Sequence, residues 1–373
     1  MRSLDPIHLI GFRGSVVADP QGFLPVAQPA VLHFMDWAGP EGYFQPFYGR
    51  LTAWPLISRN GLVTRMLSFL SGGKPVIWME FGLPIYPNGT PWKDDLLWIR
   101  PERYAYQVAE GRRFWTMMIQ SGAWGDFIWW YPGGFRVGEN SDCGLVDPDN
   151  APRPVAWVAR QFAPKFRASD HFAADRQLLF RPEQNVGGWV GEFRRLRDEY
   201  ASVVAAGHRV DVTTAGAGMT SADCPLIDPA GRQWKGTGPL RYLDAIFERI
   251  RIRAGREPWQ SVALPTAPEP VRIVVRGSGP LELEVSAGNI AEARWLAHAG
   301  KGTNTGSVAL KVSGDLQARG PLVRDTVFQG SGFFGPVKLA TQPSGAQLHL
   351  RLQLVATNRA AFGEIVDLIV VRE

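Results

Sequence analysis

The sequence predicts an α/β region followed by an all-β region, and three observations carry that reading. Short apolar runs alternate with helical stretches as far as about residue 168, as parallel βα units do. A Pro-rich segment, Pro265-Thr266-Ala267-Pro268-Glu269-Pro270, then breaks the chain. Beyond it the apolar pattern changes to a period of two.

In the first region four apolar runs read as buried strands: His8–Phe12, Ala30–Trp37, Pro75–Phe81 and Asp126–Tyr131. Between them Gly49–Leu70 is a helix candidate. Pro101–Gln120 is a clearer one, because Tyr104, Val108, Trp115 and Met118 recur at helical spacing and Gly122 stands where a C-terminal cap falls. Residues 150–168, with Pro152, Pro154 and Pro164, read as a last helix and an exit linker. The middle region reads as helix Phe193–Ala206, strand Arg209–Thr213 and helix Leu240–Arg253. After the Pro-rich linker the runs Val271–Arg276, Leu281–Ser286, Val308–Val312, Gln347–Val355 and Glu364–Val371 predict a β-sandwich, with weaker strands near Arg294–Leu296 and Val337–Ala340. The expected domains are 1–168, 169–262 and 270–373.

Composition is that of an ordinary globular protein: 373 residues, 45% apolar and 20% charged. The formal charge of +5 is dispersed, which argues against nucleic acid. The alternation Arg249-Ile250-Arg251-Ile252-Arg253 reads as a solvated face. Two cysteines, Cys143 and Cys224, read as reduced thiols, with one disulfide as the alternative. No apolar run approaches membrane-spanning length, and no signal-peptide core is visible. The chain as given therefore reads as cytoplasmic. The six histidines show no ligand spacing, and no metal or cofactor is expected.

The residues that could carry chemistry centre on Lys74-Pro75-Val76-Ile77-Trp78-Met79-Glu80-Phe81-Gly82. An apolar strand here delivers one carboxylate to the end of a sheet, and Gly82 lets the backbone turn away. Strand alternation predicts that Trp78 and Glu80 share a face. Ten of the fourteen tryptophans precede residue 160. Many belong to packing, but Trp37, Trp129 and Trp130 at strand ends also suit sugar recognition, since a flat apolar ring covers the C–H face of a pyranose.

The run at 74–82 resembles the nucleophile strand of the (β/α)8 glycosidase clan that includes cellulases and β-galactosidases. Downstream, Ser121-Gly122-Ala123-Trp124-Gly125 leading into Ile128-Trp129-Trp130-Tyr131-Pro132-Gly133-Gly134 is similar to that clan's eighth strand and following loop. Gly138-Glu139-Asn140-Ser141-Asp142-Cys143-Gly144-Leu145, with Asp147-Pro148-Asp149 and Arg153-Pro154, resembles its closing phrase. The middle region is faintly similar to the α/β domain that follows the barrel in some β-galactosidases. The resemblance implies an incomplete (β/α) TIM-type barrel in which His8–Phe12 corresponds to strand five. The acid/base Glu that follows an Asn on the clan's fourth strand has no counterpart here.

The function so implied is a retaining β-glycosidase acting on β-linked gluco- or galactosides, with Glu80 as nucleophile and a non-standard or partner-supplied acid/base. Glu41, beside Tyr43 in a loop, is the first candidate for that role; Glu139 is second, and Asp36 and Asp126 follow. Asp36, Trp37, Tyr43, Trp78, Trp129, Trp130 and Glu139 are the candidate substrate contacts. Four parallel strands leave two open edges, so a homo-oligomer is expected to cover them and to face one copy of Glu80 with another. The alternatives are a catalytically weak or inactive carbohydrate-binding or structural remnant of a barrel glycosidase, and a partial gene product that starts upstream.

Overall fold

The computed structural model describes residues 7–14, 29–42, 58–83, 85, 101–134, 142–167, 172–265, 269–298, 305–343 and 345–373. The chain divides into two compact units, Met1–Thr213 and Thr214–Glu373.

The first unit holds a four-stranded sheet of β1 (Gly11–Gly14), β2 (Trp37–Gly42), β3 (Ile77–Gly82) and β4 (Gly125–Trp129). The strands lie in chain order and every neighbouring pair is parallel. Helices separate them in sequence: α1 (Pro29–His33), α2 (Gly61–Leu70) and α3 (Pro101–Gln120), with α4 (Pro154–Arg167) after β4. A short pair, β5 (Arg176–Phe180) and β6 (Val210–Thr214), flanks α5 (Gly188–Ala205).

One expected strand is wrong. Ala30–Trp37 is not a strand: α1 takes its first part, and the strand begins only at Trp37. Pro29 presets the helical φ at the first position. The last carbonyls of α1, Leu32 and His33, accept from Lys74 Nζ at 2.7 and 2.8 Å. A short apolar run cannot by itself separate helix from strand. The shift places Glu41 within β2 rather than in a loop.

One face of the sheet is covered by helices. Val76, Trp78 and Phe81 share a buried core with Leu62, Met66, Phe114, Trp115 and Met118. Phe81 stacks on Phe114 with ring centroids 5.5 Å apart. Each such fully buried side chain contributes about 2 kcal/mol relative to exposure. Leu196 and Tyr200 of α5 and Val210 and Val212 of β6 belong to the same core. Gly122 ends α3 with φ +75°, and the Ala123 N–H reaches back to the Met118 carbonyl at 2.9 Å.

In the second unit β7 (Ala245–Ala254), β8 (Gln260–Val262), β10 (Leu281–Asn289) and β13 (Ser331–Lys338) form one sheet in the order β13-β10-β7-β8. The other, in the order β12-β11-β14-β15-β9, contains β9 (Val271–Val275), β11 (Val308–Gly314), β12 (Ala318–Pro321), β14 (Gln347–Ala356) and β15 (Ala360–Arg372). Both contribute to one apolar core, with Ile250, Ile252 and Leu283 from the first and Leu310, Leu352 and Val366 from the second. The helix expected at Leu240–Arg253 is therefore largely strand β7. Its β-branched Ile250 and Ile252 alternate with arginines, a period that suits a half-buried strand. Arg251 and Arg253 pair across to Glu284 and Glu282 of β10. Cys143 and Cys224 are both buried and are not joined to each other. No described helix is long and apolar enough to cross a membrane.

Asp126 of β4 lies on the helix-covered face, where Trp115 Nε1 donates to its Oδ2 at 2.8 Å. Burial pushes this carboxyl up to about 6, and the indole hydrogen bond opposes that rise only in part. In the unfolded chain an Asp titrates near 3.9. The folded state thus holds the proton more tightly, and stability falls as pH rises from about 4 through about 6. Asp126→Asn keeps an acceptor for Trp115 and removes the charge. Thermal unfolding should show a gain of roughly 5 °C at pH 8 that shrinks toward zero at pH 4; an equal change at both pH values would refute this account of Asp126.

Candidate active site

The face of the parallel sheet opposite the helices carries Arg13, Glu41 and Glu80, and a bulge in β3 puts Glu80 there. Between β2 and β3 the register runs from Ala38↔Val76 to Glu41↔Glu80, three steps on β2 against four on β3. Between β3 and β4 it runs from Trp78↔Asp126 to Phe81↔Ile128, three steps against two. Both neighbours therefore see one extra residue in β3. Bulges of this kind re-aim side chains and occur next to active sites.

The expectation that Trp78 and Glu80 share a face is overturned by that extra residue. Trp78 is fully buried toward the helices, where its Nε1 donates to Thr64 Oγ1 at 3.0 Å. Glu80 turns to the other face, where it meets Arg13. Phe81 returns to the helix side and packs on Phe114 and Trp115.

Glu41 and Glu80 are register partners on neighbouring strands. They are only 8% and 7% exposed, near the C-terminal ends of β2 and β3. In parallel α/β sheets that end is where ligands bind. Arg13 of β1 joins them: its Nε donates to Glu41 Oε1, and its Nη2 pairs with Glu80 Oε2. Arg13 is in register with Gly39, which has no side chain. Met79 lies so close that a Cβ on Gly39 would stand 2.2 Å from its Cγ. The Arg13 side chain is about half exposed, unlike the carboxylates it holds.

The other candidates divide between the two ends of the sheet. Trp129 pairs with Gly82 at the Glu80 end, and its ring meets that of Trp130 edge-on at 5.7 Å across a cis peptide bond. Asp36 and Trp37 stand at the opposite end, where β2 begins. Asp36 Oδ2 accepts the Ile10 N–H at 2.7 Å, and its own N–H donates to the Ile10 carbonyl, so it braces the entry to β1 and β2. The Trp37 ring lies across Gly11; a Cβ there would be 1.9 Å from it. Tyr43 and Glu139 lie outside the described residues.

The segment after β4 is held by a buried arginine. Arg153 is fully buried and forks onto Asp142 through two 2.9 Å bonds, while its Nε donates to Asp147 at 2.8 Å. Tyr104 donates to Asp147 at 2.9 Å, and burial together with that carboxylate pushes its hydroxyl up to about 12. Leu145 N–H donates to the Tyr131 carbonyl at 3.1 Å. Gln107 Nε2 ties the Leu83 carbonyl, just past β3, to that of Gly144. The ends of β3 and β4 are therefore cross-braced.

Sequence reasoning missed Arg13, although the signal was present. Ile10-Gly11-Phe12-Arg13-Gly14 is an apolar run ending in one charged residue and a glycine, the same pattern that singled out Glu80. Chemically, the site offers two carboxylates on one face, a cation between them and an aromatic pair at the same end. Among the described residues no cluster of three or more His, Cys, Asp or Glu could hold a metal ion.

The sequence matches no protein-family model and no curated protein. Among solved structures the chain is similar to GH5_18 from Bifidobacterium longum subsp. longum, with 15% identity, a TM-score of 0.40, and 54% of this chain and 49% of that one covered. It is also similar to an exo-β-1,4-mannosidase from Opitutaceae bacterium strain TAV5, with 13% identity, a TM-score of 0.34, and 90% and 55% coverage. A third similar structure is a β-galactosidase from the Antarctic haloarchaeon Halorubrum lacusprofundi, with 12% identity, a TM-score of 0.37, and 90% and 65% coverage. All three are glycoside hydrolases, and this chain spans between about half and two thirds of their lengths.

Proposed function

We propose that this chain is a retaining β-glycosidase acting on gluco- or galacto-configured substrates, with Glu80 as nucleophile and Glu41 as acid/base. The observation that carries the reading is the register pairing of Glu41 with Glu80 on one face of a parallel sheet. Neighbouring strands lie about 4.8 Å apart. Retaining enzymes need their two carboxyls about 5–5.5 Å apart. Two in-register carboxylates on adjacent strands suit that requirement, and no fourth-strand Glu is then needed.

In the first step Glu41, carrying a proton on the oxygen that does not accept from Arg13 Nε, gives that proton to the glycosidic oxygen while a Glu80 oxygen bonds to the anomeric carbon and the C–O bond breaks. In the second, Glu41 takes a proton from water, the water oxygen bonds to the anomeric carbon, and the bond to Glu80 breaks. Trp129 and Trp130 stand at the right end of the sheet to offer a sugar platform. A second reading, a carbohydrate-binding or structural remnant, is favoured by the ion pairs themselves, because a strand-end Glu tied to an Arg is an ordinary structural device.

The same proposal treats the parallel sheet as half of a (β/α) barrel and the second unit as an accessory β-sandwich. Among the described residues β1 and β4 each have only one strand neighbour. A two-fold copy about the barrel axis would pair both edges and rebuild eight parallel strands.

Two experiments test these statements. Hydrolysis of aryl β-glycosides should be measurable for the parent and should fall by at least about 1,000-fold in Glu80→Gln. No turnover in the parent defeats the enzyme reading, and an unchanged rate in the variant defeats the assignment of Glu80. Light scattering on a size-exclusion column should give the mass of a dimer at micromolar concentration; a stable monomer sinks the paired half-barrel.

A further inference from the structure

We propose that Arg13 is the positioning residue of the carboxylate pair, bridging Glu41 and Glu80 so that one guanidinium fixes the direction of both carboxyl groups. The proposal rests on the glycosidase reading for its kinetic arm, but its structural arm stands on the three side chains alone.

In the form with both carboxyls ionised, two like charges stand directly opposite each other on neighbouring strands and repel. Here both are nearly buried, which strengthens the repulsion because little water screens it. One cation between them removes the conflict. Nε donates to Glu41 and Nη2 pairs with Glu80. The guanidinium is planar, so both carboxylates are referred to one rigid frame. A lysine carries the charge but not that frame. Arg13 reaches β3 from β1 at the register position of Gly39, where β2 has no side chain of its own. Its half-exposed side chain leaves the position open to a small solute from solvent.

Small misplacements of reacting groups cost on the order of 100-fold in rate. Arg13→Ala should therefore lower kcat by about that factor with KM little changed. Guanidinium chloride at low millimolar concentration should restore most of the loss, saturably, and should do nothing for the parent. In thermal unfolding the same salt should raise the Tm of Arg13→Ala, but not that of the Arg13→Ala/Glu80→Gln double variant. Arg13→Lys should keep the Tm of the parent while losing kcat, which keeps the test sound if the alanine variant folds poorly. A merely structural Arg13 gives a lower Tm with no rescue of either property, and that result overturns the proposal. If the parent shows no turnover, the glycosidase reading fails. The Tm arm then decides the bridging role by itself: rescue upholds it, and absence of rescue ends it.

Discussion

The extra residue in β3 between Trp78 and Phe81 is the constraint on which the rest of this unit depends. A regular strand that buried Trp78 and Phe81 against the helices could not do so at all, because residues three apart in a strand face opposite ways. The bulge lets both aromatic residues enter the core and turns Glu80 to the other face. Core packing and site geometry are therefore fixed by one local irregularity. Loss of the bulge would either expose a large aromatic ring or bury Glu80 among apolar side chains, and a buried unpaired carboxylate costs several kcal/mol.

Once Glu80 is turned, electrostatics governs the site. Two carboxylates in register need a cation, and β1 supplies it through Arg13. The neighbouring elements act through the ends of the strands. Asp36 ties β1 to β2 at their starts, and the Arg153 cluster with Gln107 ties the segments beyond β3 and β4. A site built on strands and held at both ends keeps its geometry better than one carried on loops.

Much of this was legible in the sequence. The Glu80 strand, the helix at 101–120 with its Gly122 stop, and the β-rich second unit follow from apolar period and glycine placement. Three features were not. The segment around Ala30–Trp37 is short and apolar, so its helix could not be told from a strand. Ile250 and Ile252 belong to a strand because their partners on β10 lie far away in the chain, which no local window sees. The facing of Glu80 depends on a bulge, and one residue of slip reverses every side chain beyond it. Glu41 was named as a candidate but placed in a loop; its position in β2 and its pairing with Glu80 became visible only through register.

The central claim is that Glu80 is the group that bonds to the sugar. Incubation with an activated 2-deoxy-2-fluoro-β-glucoside or β-galactoside, followed by peptide mass spectrometry, tests it directly, because the fluorine slows breakdown of the glycosyl-enzyme. The account predicts one fluoroglycosyl adduct per chain, on the peptide containing Glu80 and mapped to that residue. An adduct on Glu41, or no adduct from a protein that turns over the parent glycoside, would contradict it.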